Sequence, residues 1–124
     1  KIKNVKIVRL EQLYPFPYDT MTEVILNHKN CDFVWAQEEP KNMGPWDFVK
    51  SRIRHILSKN KLDQQIHYVG RKRSAAPATG IAKRHNANQN MIKKLALQSS
   101  IKSIIKAKTG VSFMKFKDLP EDYE

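Results

Sequence analysis

The 124 residues suit one domain, and the single cysteine, Cys31, excludes an internal disulfide and a cysteine-built zinc site. A mean hydropathy of -0.61 and the lack of any run near the ~18 apolar residues that a helical span needs exclude a transmembrane helix. The formal charge of +11 is uneven: residues 1–60 carry 10 basic and 7 acidic side chains, residues 61–124 carry 13 and 5. So diffuse an excess, with few aromatics among the charges, reads as a lysine-biased surface; a non-specific polyanion-binding module is the alternative, and nucleic acid is not expected as a partner.

In chain order, Lys1, Lys3 and Lys6 precede only the short apolar run Ile7-Val8, so no secretory leader is expected. Asn4 to Gln12 is β-branched with apolar residues on both faces, the pattern of an inner strand of an α/β sheet. Pro15 and Pro17 force the chain out of that strand. Thr20 and Glu23 are spaced as a capping box, opening a helix through Met21, Val24, Ile25 and His28. Asp32 to Glu38 reads as a second strand. Pro45 is placed as a first helical residue, followed by an apolar stripe of Trp46, Val49, Ile53, Ile56 and Leu57. Asn60 to Asp63 breaks that helix, and Gln65 to Val69 is a third strand ended by Gly70. Residues 71–80 read as a loop. Residues 84–108 are helical, divided at Ser99-Ser100 and stopped by Gly110; Val111 to Phe116 is a short strand before an acidic tail. Strands alternating with helices define an α/β fold with a mostly parallel sheet flanked by helices.

The pair Glu38-Glu39 ends the second strand, at the sheet edge where α/β folds place ligands. Neighbours in an extended chain point to opposite faces. The adopted reading is therefore that one caps a helix and the other meets water or an arginine, rather than an acid–base pair. Trp35 and Trp46 are read as core aromatics. Arg71, Lys72, Arg73 and Ser74, with Arg84 and His85 beyond, gather cations and hydroxyls that can hold a phosphate or carboxylate. An interface loop whose arginines pair with acids elsewhere fits them equally well, and no GxGxxG or GxxxxGK[ST] accompanies them. His28 and Cys31 lie three apart, but nothing orients them as a nucleophilic pair, and Cys31 is read as a bystander thiol.

Three strings carry a resemblance. RLEQLYPFP at Arg9 to Pro17 comes first; Val34 to Pro40 (VWAQEEP) with Asn42, Gly44 and Trp46 follows. Tyr68, Gly70, Arg71, Ser74, Ala75, Pro77, Ala78, Gly80, His85 and Gln89 complete the set. In this order and spacing they resemble the C-terminal domain of the thiamine-dependent first component of 2-oxoglutarate dehydrogenase, over roughly residues 4–96.

The resemblance implies a transketolase C-terminal-like α/β domain over residues 1–96, with Glu38, Glu39, Asn42, Gly44 and Trp46 as structural motif residues. It implies a parent enzyme of the tricarboxylic acid cycle that decarboxylates 2-oxoglutarate with thiamine diphosphate and Mg²⁺ and succinylates a lipoyl group on the second component. The parent is a homodimer whose cofactor sites lie in other domains, so neither catalytic residues nor a cofactor or metal are expected in this stretch, and the stretch alone is expected to be inactive. Its partners would be the remaining domains of the enzyme, a second copy and the lipoyl-bearing component, without a membrane, in a bacterial cytoplasm or alternatively a mitochondrial matrix. Two departures are noted. The family places a further strand and helix before RLEQLYPFP, so a truncated domain or part of a longer polypeptide is expected; and residues 97–124 form an extension past the family's usual end. A regulatory role for the basic loop, binding an anionic effector, is the rival reading.

Overall fold

The computed structural model describes residues 5–97. Its elements are α1 (Tyr18–Leu26), β1 (Phe33–Pro40), α2 (Trp46–Lys59), β2 (Ile66–Arg71) and α3 (Ala82–Ala96). The continuation of the predicted last helix past Leu97, the Val111 to Phe116 strand and the acidic tail lie outside the described residues.

The strands β1 and β2 pair in parallel, with Phe33 opposite Ile66, Trp35 opposite Tyr68 and Ala36 opposite Val69. The register then shifts, so that Pro40 meets Arg71. This confirms the α/β reading: the helix α2 crosses over between parallel strands, as the geometry of such pairs requires. Strand alternation sorts the core into two faces. Phe33, Trp35, Ile66 and Tyr68 turn toward α2, whose predicted stripe of Trp46, Val49, Ile53, Ile56 and Leu57 is buried throughout. Val34 and Val69 turn the other way, onto Ile92, Leu95, Met91 and Ala96 of α3. Each fully buried aliphatic of the α2 stripe contributes roughly 1.5–3 kcal/mol.

The helix α2 starts one residue later than expected, with Pro45 as the N-cap and its carbonyl accepting from the Val49 amide at 2.8 Å. The break at Asn60 to Asp63 is present, with Asn60 as C-cap and Lys61 in the left-handed region at φ 56. The strand β2 runs past Gly70 to Arg71.

Two expectations fail. The capping box does not form: α1 starts at Tyr18 without a side-chain cap, because the Pro17 carbonyl already accepts the Met21 amide at 2.9 Å. Thr20 therefore sits inside the helix. Residues 5–13 are not a strand. Ile7 is 76% exposed and Tyr14, just beyond, 85%, while only Leu10 packs onto the core. A strand apolar on both faces needs a hydrogen-bonded neighbour and cover on each side. Here a cleft of about 820 Å³ separates residues 5–13 from β1, lined by both and by His28, Cys31 and Leu97. Among the described residues the sheet therefore has two strands.

Candidate functional site

The polar residues gather at the C-terminal end of the two strands, where β1 turns into α2 and β2 enters the loop 72–81. Gln37 shares its strand face with Phe33 and Trp35 and is 6% exposed. Its Oε1 accepts from Trp35 Nε1 at 2.9 Å. Its Nε2 donates to the carbonyls of Met43 at 2.8 Å and Pro40 at 3.1 Å, with a longer contact to that of Glu39 at 3.3 Å. One amide thus satisfies the carbonyls that the β1–α2 turn would otherwise bury unpaired.

From the other strand, the Tyr68 hydroxyl donates to the Arg71 carbonyl at 2.8 Å and lies 3.3 Å from that of Glu39. The ring covers Gly70: a Cβ there would stand 2.6 Å from Tyr68 Cζ and closer still to the hydroxyl. Lys41 is 1% exposed. Its backbone N–H donates to the Arg71 carbonyl at 3.1 Å, and its ammonium sits 5.7 Å from the centroid of the Tyr68 ring. Asn42 and Ser74 face each other across the loops: Asn42 Nδ2 donates to the Ser74 carbonyl at 3.0 Å, and the Ser74 amide donates to Asn42 Oδ1 at 2.9 Å. Gly44 adopts φ +67, and a Cβ there would come within 2.9 Å of the Glu39 side chain. Both of its constraints favour glycine.

The sequence-predicted residues fall into three groups. Asn42, Gly44 and Ser74 join the knot above, and Trp46 lies beneath it, 1% exposed and 5.2 Å between ring centroids from Tyr68, with no partner for its Nε1. Trp46 is thus the core aromatic it was read as; Trp35 is half-buried and tied to Gln37. Glu38 and Glu39 are exposed. The basic set is divided between two elements. Arg71 turns back to donate to the Pro77 carbonyl at 2.8 Å, Lys72 and Arg73 are exposed on the loop, and Arg84 and His85 are exposed on α3. His28 binds the Val24 carbonyl through Nδ1 at 2.7 Å, and only the Cys31 backbone N–H reaches the His28 carbonyl, at 3.0 Å. The thiol and the imidazole therefore make no nucleophilic pair. Gln37 and Lys41 had no individual role in the sequence reading. The signal was present for Gln37: a long amide on the core-facing parity of an apolar strand must find partners inside.

Thiamine diphosphate needs Mg²⁺ ligands and a diphosphate cradle. Among the described residues no three His, Cys, Asp or Glu side chains gather. No helix among them is long and apolar enough to cross a membrane.

The fold and this edge define a small α/β domain whose sheet end is closed by its own side chains rather than opened around a ligand. Comparison with known families places it: the family described as 2-oxoglutarate dehydrogenase C-terminal matches residues 1–97, and the chain belongs to that family. Similar proteins include the 2-oxoglutarate dehydrogenase E1 components of Rickettsia felis (40% identical over 95 residues, 76% of this chain and 10% of the relative) and Rickettsia prowazekii (38% over 106 residues, 85% and 11%). The oxoglutarate dehydrogenase of Buchnera aphidicola is 42% identical over 91 residues, 73% of this chain and 10% of that protein. The chain spans about a tenth of the length of these curated relatives.

Proposed function

We propose that the chain acts as the C-terminal structural and dimer-building domain, of transketolase C-terminal-like type, of a 2-oxoglutarate dehydrogenase first component. In this reading the longer enzyme decarboxylates 2-oxoglutarate with thiamine diphosphate and Mg²⁺ bound elsewhere. It passes the succinyl group to the lipoyl-bearing second component, in a bacterial cytoplasm. The observation that carries the structural role is the saturation of the sheet edge. Gln37, Tyr68, Asn42 and Ser74 spend their polar atoms on backbone groups and, for Gln37, on Trp35, which rigidifies a surface rather than leaving groups free for chemistry.

Two measurements test it. The purified 124-residue chain, given 2-oxoglutarate, thiamine diphosphate, Mg²⁺ and an electron acceptor, is expected to show no turnover above blank; turnover overturns the reading. In a longer enzyme carrying this domain, Gln37→Leu is expected to weaken dimerisation and lower Tm while leaving kcat per remaining dimer unchanged. A fall in kcat with dimer and Tm intact assigns the edge to catalysis instead.

A second reading, binding of an anionic effector by Arg71, Lys72, Arg73, Ser74, Arg84 and His85, is favoured by one feature. The first turn of α3 has no acidic residue and no side-chain cap, so its positive dipole end meets no carboxylate of its own helix there. Calorimetry with AMP and acetyl-CoA tests it, and no heat at millimolar ligand retires it.

A further inference from the structure

No aspartate or glutamate stands between Asp63 and Asp118, while 12 lysines and arginines do. The described part of this run contains β2, the loop after it and α3. The helix α3 spends its apolar side on the sheet, where Ile92 and Leu95 are buried against Val69 and Val34. Its other side carries Lys83, Ala87, Asn90 and Lys94 at i, i+4, i+7 and i+11, all exposed, with Lys93 and Asn86 beside them. A surface helix ordinarily offsets such lysines with acids three or four residues away; α3 contains none. The ion pairs Arg9–Glu11 and Lys50–Asp47 lie away from α3.

We propose that this outer face of α3 docks an acidic polypeptide segment, an Asp/Glu-rich stretch of another protein chain. Lys83 and Lys94 are eleven residues apart, about 16 Å along the helix, a span that several carboxylates of one segment cover together. On this face Ala87 and Asn90 between them are short and neutral, so a polypeptide backbone approaches closely and the Asn86 and Asn90 amides are available to it. Single-stranded nucleic acid sites interleave cations with stacking aromatics. Among the described residues the exposed aromatics, Tyr14 and Tyr18, belong to the N-terminal side of the chain. A helix that lies on a membrane keeps its apolar stripe for lipid, whereas that of α3 is used on the sheet. The proposal stands apart from the enzyme reading above and does not depend on it.

The test uses the full chain and a fluorescently labelled Glu/Gly-repeat peptide of about 20 residues at about 0.15 M salt, where long-range attraction is screened within about 8 Å. Anisotropy is expected to show saturable binding. Lys83→Glu/Lys94→Glu is expected to raise Kd at least about tenfold, because facing charge pairs dominate such contacts. Arg54→Glu/Lys59→Glu, with the same change of net charge on α2, is expected to move it less than about twofold. Far-UV melts confirm folding, and Lys83→Gln/Lys94→Gln, expected to weaken binding about threefold, replaces the reversal if that variant fails to fold. All variants keep residues 98–124, so their contribution is common. Equal losses from both reversals, no saturable binding, or tighter binding of single-stranded DNA or phosphatidylserine vesicles than of the peptide each overturn the proposal.

Discussion

The two ends of β1 contrast. At its C-terminal end three polar side chains close the structure: Gln37 spans the turn into α2, Tyr68 covers Gly70, and Asn42 is tied to Ser74. Alongside its outer edge runs a cleft, and residues 5–13 lie across it with Ile7 and Val8 in water. Both stretches have a strand-like composition, β-branched in residues 5–13 and aromatic and β-branched in β1. The difference lies in neighbours. Order in a sheet comes from hydrogen-bonded pairing and cover on both faces, and only the inner edge of β1 has both.

The largest break in that contrast is expected from Trp46→Ala. It empties the space under the knot and should cost about 3–5 kcal/mol, whereas Ile7→Ser across the cleft should change stability by less than about 0.5 kcal/mol. Urea denaturation of both variants checks the pair, and similar losses would mean that residues 5–13 are packed in solution. Next is Gly70→Ala, which drives a methyl into the Tyr68 ring and should cost about 1–3 kcal/mol. Combined with Tyr68→Ala it should cost far less than the sum of the two single changes. Gln37→Leu keeps volume but leaves Trp35 Nε1 and two turn carbonyls without their partner, for about 1–3 kcal/mol by the same denaturation. The smallest effect is Asn42→Ala, about 0.5–1.5 kcal/mol, best read as faster amide exchange at Ser74. Unchanged exchange there would show that the loop is held by other contacts.

The sequence made some of this legible and hid the rest for physical reasons. The stripe Trp46, Val49, Ile53, Ile56 and Leu57 was readable because a 3.6-residue period over fourteen residues reports its own burial. The strands β1 and β2 were readable from β-branched and aromatic content, with ends displaced by one to two residues. Asn4 to Gln12 misled because composition records fitness for a strand and not the presence of a neighbour to pair with. Thr20 misled because capping depends on where the first free carbonyl falls, and Pro17 supplied it earlier. At the candidate site, Asn42, Gly44 and Trp46 stood out as motif residues. Which atoms they meet depends on contacts such as Asn42–Ser74, 32 residues apart in sequence, which no local pattern encodes.

That contact has a kinetic side. It joins the turn before α2 to the loop after β2 and so encloses the crossover, yet both of its bonds are partly open to water. Such a clasp completes only after the strands have paired, because closing a loop of this length is entropically unfavourable until the sheet has drawn its ends together. It can therefore open while the packed side chains beneath stay in place. Residues 75–81 then become a local opening unit, and a protease that nicks the chain there would leave two pieces held by the same core.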